Sequence, residues 1–268
     1  MKEKINHEQR LLSMFEFRMI MEMMYANENR IQGQNELLAS IGVDTSFSSD
    51  FTNEIREKCK RTGESGWVLT PYWIPGKDET WYETWYEFVR NKTPERIRTY
   101  FVHDDYKFLK QIIFRGAFQF GNFKWWKESM DLFFEKYYLG CSMILTALFE
   151  RGIRDCPIES WKQKVTKFYE SAVVDRIEEI YNKETIEPIS RYIDTVLLLP
   201  SIDGFINTFF NSGLIFQNGI EPQHLERNWL MHGMTDRDVT EEDCIKLFNA
   251  NVTLCYLKTT IFQIAYTS

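Results

Sequence analysis

Apolar residues recur every three or four positions over much of the chain, the spacing of an amphipathic helix. Residues 5–28 carry Ile5, Leu11, Leu12, Phe15, Met19, Met23 and Met24 in this rhythm, which predicts a long opening helix with its methionine stripe turned to the core. Between Ser46 and Pro75 the periodicity fades. Thr62-Gly63-Glu64-Ser65-Gly66, followed by Pro71 and Pro75-Gly76, reads as loop with room for a short hairpin. Trp81 with Trp85 and Tyr82 with Tyr86 then stand at helical i,i+4 spacing, and Phe114, Phe118, Phe120, Phe123, Trp125 and Trp126 follow. From Lys127 onward the pattern predicts helices at 127–151 (ending at Gly152), 158–183 (after Pro157), 188–199 (ending at Pro200), 201–212 (ending at Gly213), 222–232 (ending at Gly233) and 240–266. Connections this short make sequential helices pack antiparallel. The expected fold is all-α: a C-terminal antiparallel helical bundle over 125–268, preceded by a mostly helical N-terminal region over 1–124.

Composition agrees with helix. Seven prolines and thirteen glycines are too few for a loop-rich β architecture, and a hydrophobic share of 44% is enough to build a core. The five cysteines, Cys59, Cys141, Cys156, Cys244 and Cys255, are odd in number, scattered and without a CxxC pair, which reads as reduced thiols in a cytoplasmic protein. Glu16, Arg18 and Glu22 interrupt what would have to be a signal-peptide core. No run reaches the ~20 apolar residues of a bilayer span, since Thr195-Val196-Leu197-Leu198-Leu199 stops at Pro200. A soluble protein with no membrane partner is expected.

A net charge of −7 argues against coating nucleic acid by bulk electrostatics, so any such contact must be local. Basic residues cluster from Arg90 to Lys127 (Arg90, Lys92, Arg96, Arg98, Lys107, Lys110, Arg115, Lys124, Lys127), interleaved with acids, and read as a solvated helical face. The neighbouring aromatics have two readings, packing between subdomains or a platform on which unpaired bases stack.

The chemistry concentrates in Arg227-Asn228-Trp229-Leu230-Met231-His232-Gly233. Pro222 suits a first helical turn and Gly233 the position just past a helix end, which places Arg227 to His232 in the last turn and a half. Thr240-Glu241-Glu242-Asp243 supplies an N-cap threonine with an acid three residues on, so His232 ends one helix beside the turn into the next. A histidine there meets the negative end of the helix dipole and is suited to proton exchange near neutrality.

These residues resemble the HEPN superfamily, helical-bundle proteins of RNA processing and antiviral defence, whose signature is an arginine, usually a polar residue directly after it, and a histidine several positions later. Arg227, Asn228 and His232 match in order and spacing. Leu197-Leu198-Leu199-Pro200-Ser201 upstream and His232-Gly233 at the close are similar to the abortive-infection-like branch. The resemblance covers roughly the C-terminal half. Arg96 and Arg98 with His103 fit the bare spacing by chance, without the following asparagine, the terminal glycine or the turn into a last helix.

The resemblance implies an endoribonuclease of bacterial defence or stress that needs no metal or cofactor. Arg227 would hold phosphate oxygens, His232 would move a proton and Asn228 would orient one of them or the phosphate. It also implies a homodimer with a shared cleft, since one chain carries one copy of the motif. The alternative is a noncatalytic interaction or nucleotide-binding module on the same fold. His7 and His224 have no His or Cys at ligand spacing, which disfavours a metal site. No Gly-rich phosphate loop is present. Asp203-Gly204 reads as a helix start, and Glu178-Glu179 and Asp104-Asp105 read as solvated helical faces.

Overall fold

A computed structural model of the chain describes residues 49–72, 81–117, 123–156, 158–165, 193–210 and 219–259. Among these residues every regular element is helical, as the periodicity predicts. The elements are α1 (Ser49–Glu64), α2 (Trp81–Arg90), α3 (Glu95–Ala117), α4 (Phe123–Phe134), α5 (Tyr138–Arg154), α6 (Glu159–Val165), a π-helical stretch (Ile193–Leu198), α7 (Leu199–Phe209), α8 (Arg227–Met231) and α9 (Glu241–Leu257). The helix expected over 5–28 and the acidic pair Glu178-Glu179 lie outside the described residues.

Helix α9 is the spine. Nearly every side chain from Asp243 to Leu257 is buried, the signature of a helix surrounded by protein. Three polar residues on it serve other elements: Asn251 Nδ2 donates to the Leu145 carbonyl (3.0 Å), Thr253 Oγ1 to the Leu69 carbonyl (3.1 Å) and Asn249 Nδ2 to the Val68 carbonyl. Ser201 Oγ accepts the Leu69 N–H at 3.1 Å. The irregular Trp67-Val68-Leu69 stretch is wholly buried, and these bonds satisfy backbone groups that water cannot reach. One hydrophobic cluster runs from Ile55 to Leu257, so the core is continuous across the division expected at 124/125.

The structure corrects several boundaries. Residues 49–64, where the periodicity fades and whose end at Thr62–Glu64 reads as loop, form α1, which buries Ile55, Cys59 and Thr62 at i,i+4,i+7. Only Ile55 in this buried stripe is a large apolar residue, Cys59 and Thr62 being small, and the rest of the helix is heavily charged, so the apolar count misses it. The helix expected over 127–151 is two helices, α4 and α5, parted at Lys136 (φ +66°). There the Tyr137 N–H reaches the Leu132 carbonyl (2.8 Å) and the Lys136 N–H the Phe133 carbonyl (3.0 Å), a Schellman closure with lysine in the left-handed position usually taken by glycine. Pro200 does not end a helix. It sits in the first turn of α7, and the π-helical stretch runs straight into it. Asp203 and Gly204 lie inside α7 rather than at its start: Asp203 accepts from Trp161 Nε1 (2.9 Å) and pairs with Lys60 (3.3 Å). Helix α3 breaks at His103–Tyr106, where Asp104, Asp105 and Tyr106 all have positive φ, so the two aspartates are exposed on a break and not on a helical face.

Packing accounts for most of the aromatics. Trp85 lies parallel to Tyr100 and tilted against Phe101, and Trp126 meets Phe248 edge-on while its Nε1 donates to the Ile113 carbonyl at 2.8 Å. Trp125, one residue away, is 47% exposed. Several members of the basic cluster are engaged locally: Arg90 with Glu87, Lys110 with Asp105, Lys127 with Asp131, Arg96 over Phe88 and Arg115 over Tyr72. No helix among the described residues is long and apolar enough to cross a membrane.

All five cysteines are buried and unbridged. Burial pushes the thiols of Cys156 and Cys255 up to about 11 and about 12, and that of Cys59 higher still; Cys244 is raised by its hydrogen bond with Cys141 and then by burial. Thiolate is the reactive form, so the folded chain should react with a disulfide reagent near about pH 8 far more slowly than the chain in denaturant, which should titrate five thiols. Rapid stoichiometric labelling of the native protein would contradict this packing.

Candidate functional site

Helix α8 is shorter than expected, beginning at Arg227 and not near Pro222. Glu226 sets the start. Its backbone is extended (φ −126°, ψ 137°), and its carboxylate accepts the N–H groups of Asn228 (3.0 Å) and Trp229 (3.1 Å), donors that a longer helix would have satisfied internally. Burial raises the Glu226 carboxyl above its ordinary range, although these N–H groups pull the other way.

The end of α8 falls where the sequence places it. His232 is the C-cap and Gly233 takes the left-handed conformation (φ +67°). The Met234 N–H reaches the Trp229 carbonyl (2.9 Å) and the Gly233 N–H the Leu230 carbonyl (3.2 Å), a Schellman closure. Beyond it, Glu221 accepts the N–H groups of Asp236 (2.9 Å) and Arg237 (3.3 Å) and the Thr235 hydroxyl. Burial alone would raise the Glu221 carboxyl, but these three donors hold it below its usual range. Arg237 binds Asp243 at 2.8 Å, and Asp243 closes the capping box with Thr240 expected from the sequence. The segment carrying His232 is thus clamped on both flanks.

Trp229 and Leu230 anchor α8 in the core and leave its polar residues at the surface. Asn228 and His232, four residues apart, share a face, and the His232 N–H donates to the Asn228 carbonyl at 3.0 Å. Arg227 starts the helix and His232 caps it, about 7.5 Å apart along the axis. The side-chain bonds join Arg227 to Asn228 and Asn228 to Glu226: Arg227 Nη1 donates to Asn228 Oδ1 (2.6 Å), while Asn228 Nδ2 donates to Glu226 Oε1 (3.2 Å). Arg227 Nε pairs with Glu150 on α5. His232 is exposed, and Arg227 and Asn228 are half-buried.

Glu150 is the residue that sequence reasoning missed. It is nearly buried, lies 77 positions from Arg227 and is shared with Arg154 (3.8 Å), so no local pattern couples it to the motif. It also lines a groove of about 390 Å³ whose walls include Trp125, Ala147, Arg151 and Arg154. A clue was present in Glu150-Arg151, an acid and a base directly following the apolar run of α5.

The chance matches go elsewhere. Arg98 Nε bonds Glu241 at 2.8 Å, and His103 sits exposed in the α3 break with Asp104 at 3.1 Å. Glu241 also accepts from Tyr106, whose hydroxyl is pushed up to about 12, mainly by that hydrogen bond. His224 borders a cavity of about 30 Å³, room for one water molecule. Among the described residues no three His, Cys, Asp or Glu side chains gather in a metal-binding arrangement. No family model, curated protein or solved structure matches the chain.

Proposed function

We propose that the protein is a metal-independent endoribonuclease with a HEPN-like bundle, acting in the cytoplasm in bacterial defence or stress. One observation carries the reading: Arg227, Asn228 and His232 sit on one short, clamped helix and its C-cap, the arginine and asparagine held by Glu150 and Glu226, the histidine open to solvent. RNA supplies its own nucleophile. The 2′-oxygen attacks the adjacent phosphorus, a base takes the 2′-proton, the P–O5′ bond breaks and an acid protonates the leaving 5′-oxygen. The products are a 2′,3′-cyclic phosphate and a 5′-hydroxyl. His232 serves as acid or base, and Arg227 stabilises the charge that builds on the phosphate oxygens. The first test is incubation of the purified chain with RNA in EDTA. Fragments ending in cyclic phosphate are the expected result, and cleavage that requires a divalent cation would overturn the assignment.

One histidine supplies one of the two proton transfers, so the proposal includes a second copy of the chain facing α8 across a two-fold axis. Exposed apolar residues support that face: Ile220 (69%) and Met234 (43%) lie beside the Glu221–Thr235 hydrogen bond next to His232. Light scattering should report a dimer, and Ile220→Asp with Met234→Asp should yield inactive monomers. A wild-type monomer at micromolar concentration would remove the shared cleft.

A noncatalytic interaction module is the second reading, favoured by the engagement of Arg227 with both Glu150 and Asn228. It requires that no RNA be cut.

A further inference from the structure

The groove beside Arg227 combines features that packing does not explain. Trp125 exposes 47% of its surface there, while its neighbour Trp126 is fully buried. Ala147, with its small side chain, and Leu148 form part of the wall. Arg151 is exposed on the groove and forms no ion pair among the described residues. Arg154 has only a loose partner, Glu150 at 3.8 Å, which is also engaged by Arg227. Asp155, the second carboxylate of the groove, is neutralised by Lys258 at 3.3 Å. The lining itself holds two arginines, Arg151 and Arg154, and two carboxylates, Glu150 and Asp155; because Arg227 and Lys258 from outside the lining engage those carboxylates, the two arginines set the charge the groove presents, in a protein that is acidic overall. An aromatic face beside arginines suits a base and its phosphate, because every base has a π face and the guanidinium groups match phosphate oxygens.

We propose that this groove binds one unpaired nucleotide of single-stranded RNA, the base stacked on Trp125 and its phosphate held by Arg151 and Arg154. The inference rests on the nuclease reading for its choice of ligand, since Glu150 joins the groove wall to Arg227. It adds that the substrate must be single-stranded at a nucleotide flanking the cut: a duplex keeps its bases stacked on one another and leaves none for Trp125. Because stacking is indifferent to base identity, the groove selects strandedness and not sequence.

The test uses the full chain and a fluorescent 2′-O-methyl oligoribonucleotide of about ten nucleotides, which has no 2′-hydroxyl with which to react. Anisotropy in EDTA then reads binding without cleavage. Trp125→Ala should weaken binding by about 5- to 150-fold, and Trp125→Phe should restore most of it. Arg151→Ala should flatten the salt dependence by about one ion. The same oligonucleotide annealed to its complement should bind more weakly. Both substituted side chains are at the surface, so circular dichroism should be unchanged. Binding by Trp125→Ala equal to wild type, or equal affinity for duplex, overturns the proposal. The two readings fail separately: Trp125-dependent binding with no cleavage of ordinary RNA sinks the nuclease and keeps the groove, whereas cleavage with an unchanged KM in Trp125→Ala keeps the nuclease and sinks the groove.

Discussion

Replacing His232 with alanine should lower RNA cleavage by about 10²–10⁴-fold, the range that a positioned acid or base contributes. Stability should stay within about 0.5 kcal/mol of wild type, because His232 is exposed and the α8 closure is made by backbone groups and Gly233. Arg227→Ala should cost about 10²–10³-fold in rate as transition-state charge loses its donor. It should also destabilise the fold by about 1–3 kcal/mol, since nearly buried Glu150 loses its strongest partner. Arg227→Lys should not recover the rate, because an ammonium cannot serve Glu150, Asn228 and a phosphate together as the forked guanidinium can. His103→Ala and Arg98→Ala, the chance matches, should leave cleavage largely unchanged. A single 2′-deoxy substitution at the cut should block the reaction. Full activity in His232→Ala, or cleavage of DNA at a comparable rate, would defeat the mechanism and promote the interaction-module reading.

The largest stability effect is expected far from that site. Gly63 of α1 and Gly204 of α7 face each other's backbones: a Cβ on Gly63 would lie 1.9 Å from the Ser201 carbonyl oxygen, and one on Gly204 would lie 2.1 Å from that of Lys60. Neither contact is with a flexible side chain that can swing away, so alanine at either position must push the two helices apart. Overpacking costs about 1–3 kcal/mol where side chains can adjust, and Gly204→Ala should reach or exceed the top of that range. Parting α1 from α7 also strains the Trp67–Leu69 stretch, whose backbone is bonded to Ser201 and α9. Gly219→Ala is the contrast. It has nothing within 4 Å and a left-handed φ of +70°, which predicts a conformational penalty of about 1–2 kcal/mol only. Urea midpoints of the two variants provide the comparison. A Gly204→Ala chain within 1 kcal/mol of wild type would show that this crossing tolerates a methyl group.

These two predictions stand on different kinds of information. Gly233 past the end of α8, His232 as its last residue and the Thr240–Asp243 capping box were all legible in the sequence, and each is made of groups within six residues of one another. Such features follow from backbone geometry and nearby donors, which travel with the chain wherever it packs. The start of α8 is local too, but the sequence signal points to the wrong residue: Pro222 is a common first-turn residue, whereas the Glu226 carboxylate takes the capping role. Lys136 hid the break between α4 and α5 for a similar reason: the closure there uses a residue that carries no glycine signal.

The sequence by itself determined the helical class, through periodicity, and the form of the turn that bears Arg227, Asn228 and His232, through caps. Tertiary structure alone decided that α1 buries Ile55, Cys59 and Thr62, that Gly204 is a crossing point inside α7, that Trp126 goes to the core while Trp125 stays on the groove, and that Glu150 holds Arg227. The reason is separation along the chain. The Glu150–Arg227 pair spans 77 residues and the Leu69–Ser201 bond 132, and what each partner meets depends on how the helices between them pack.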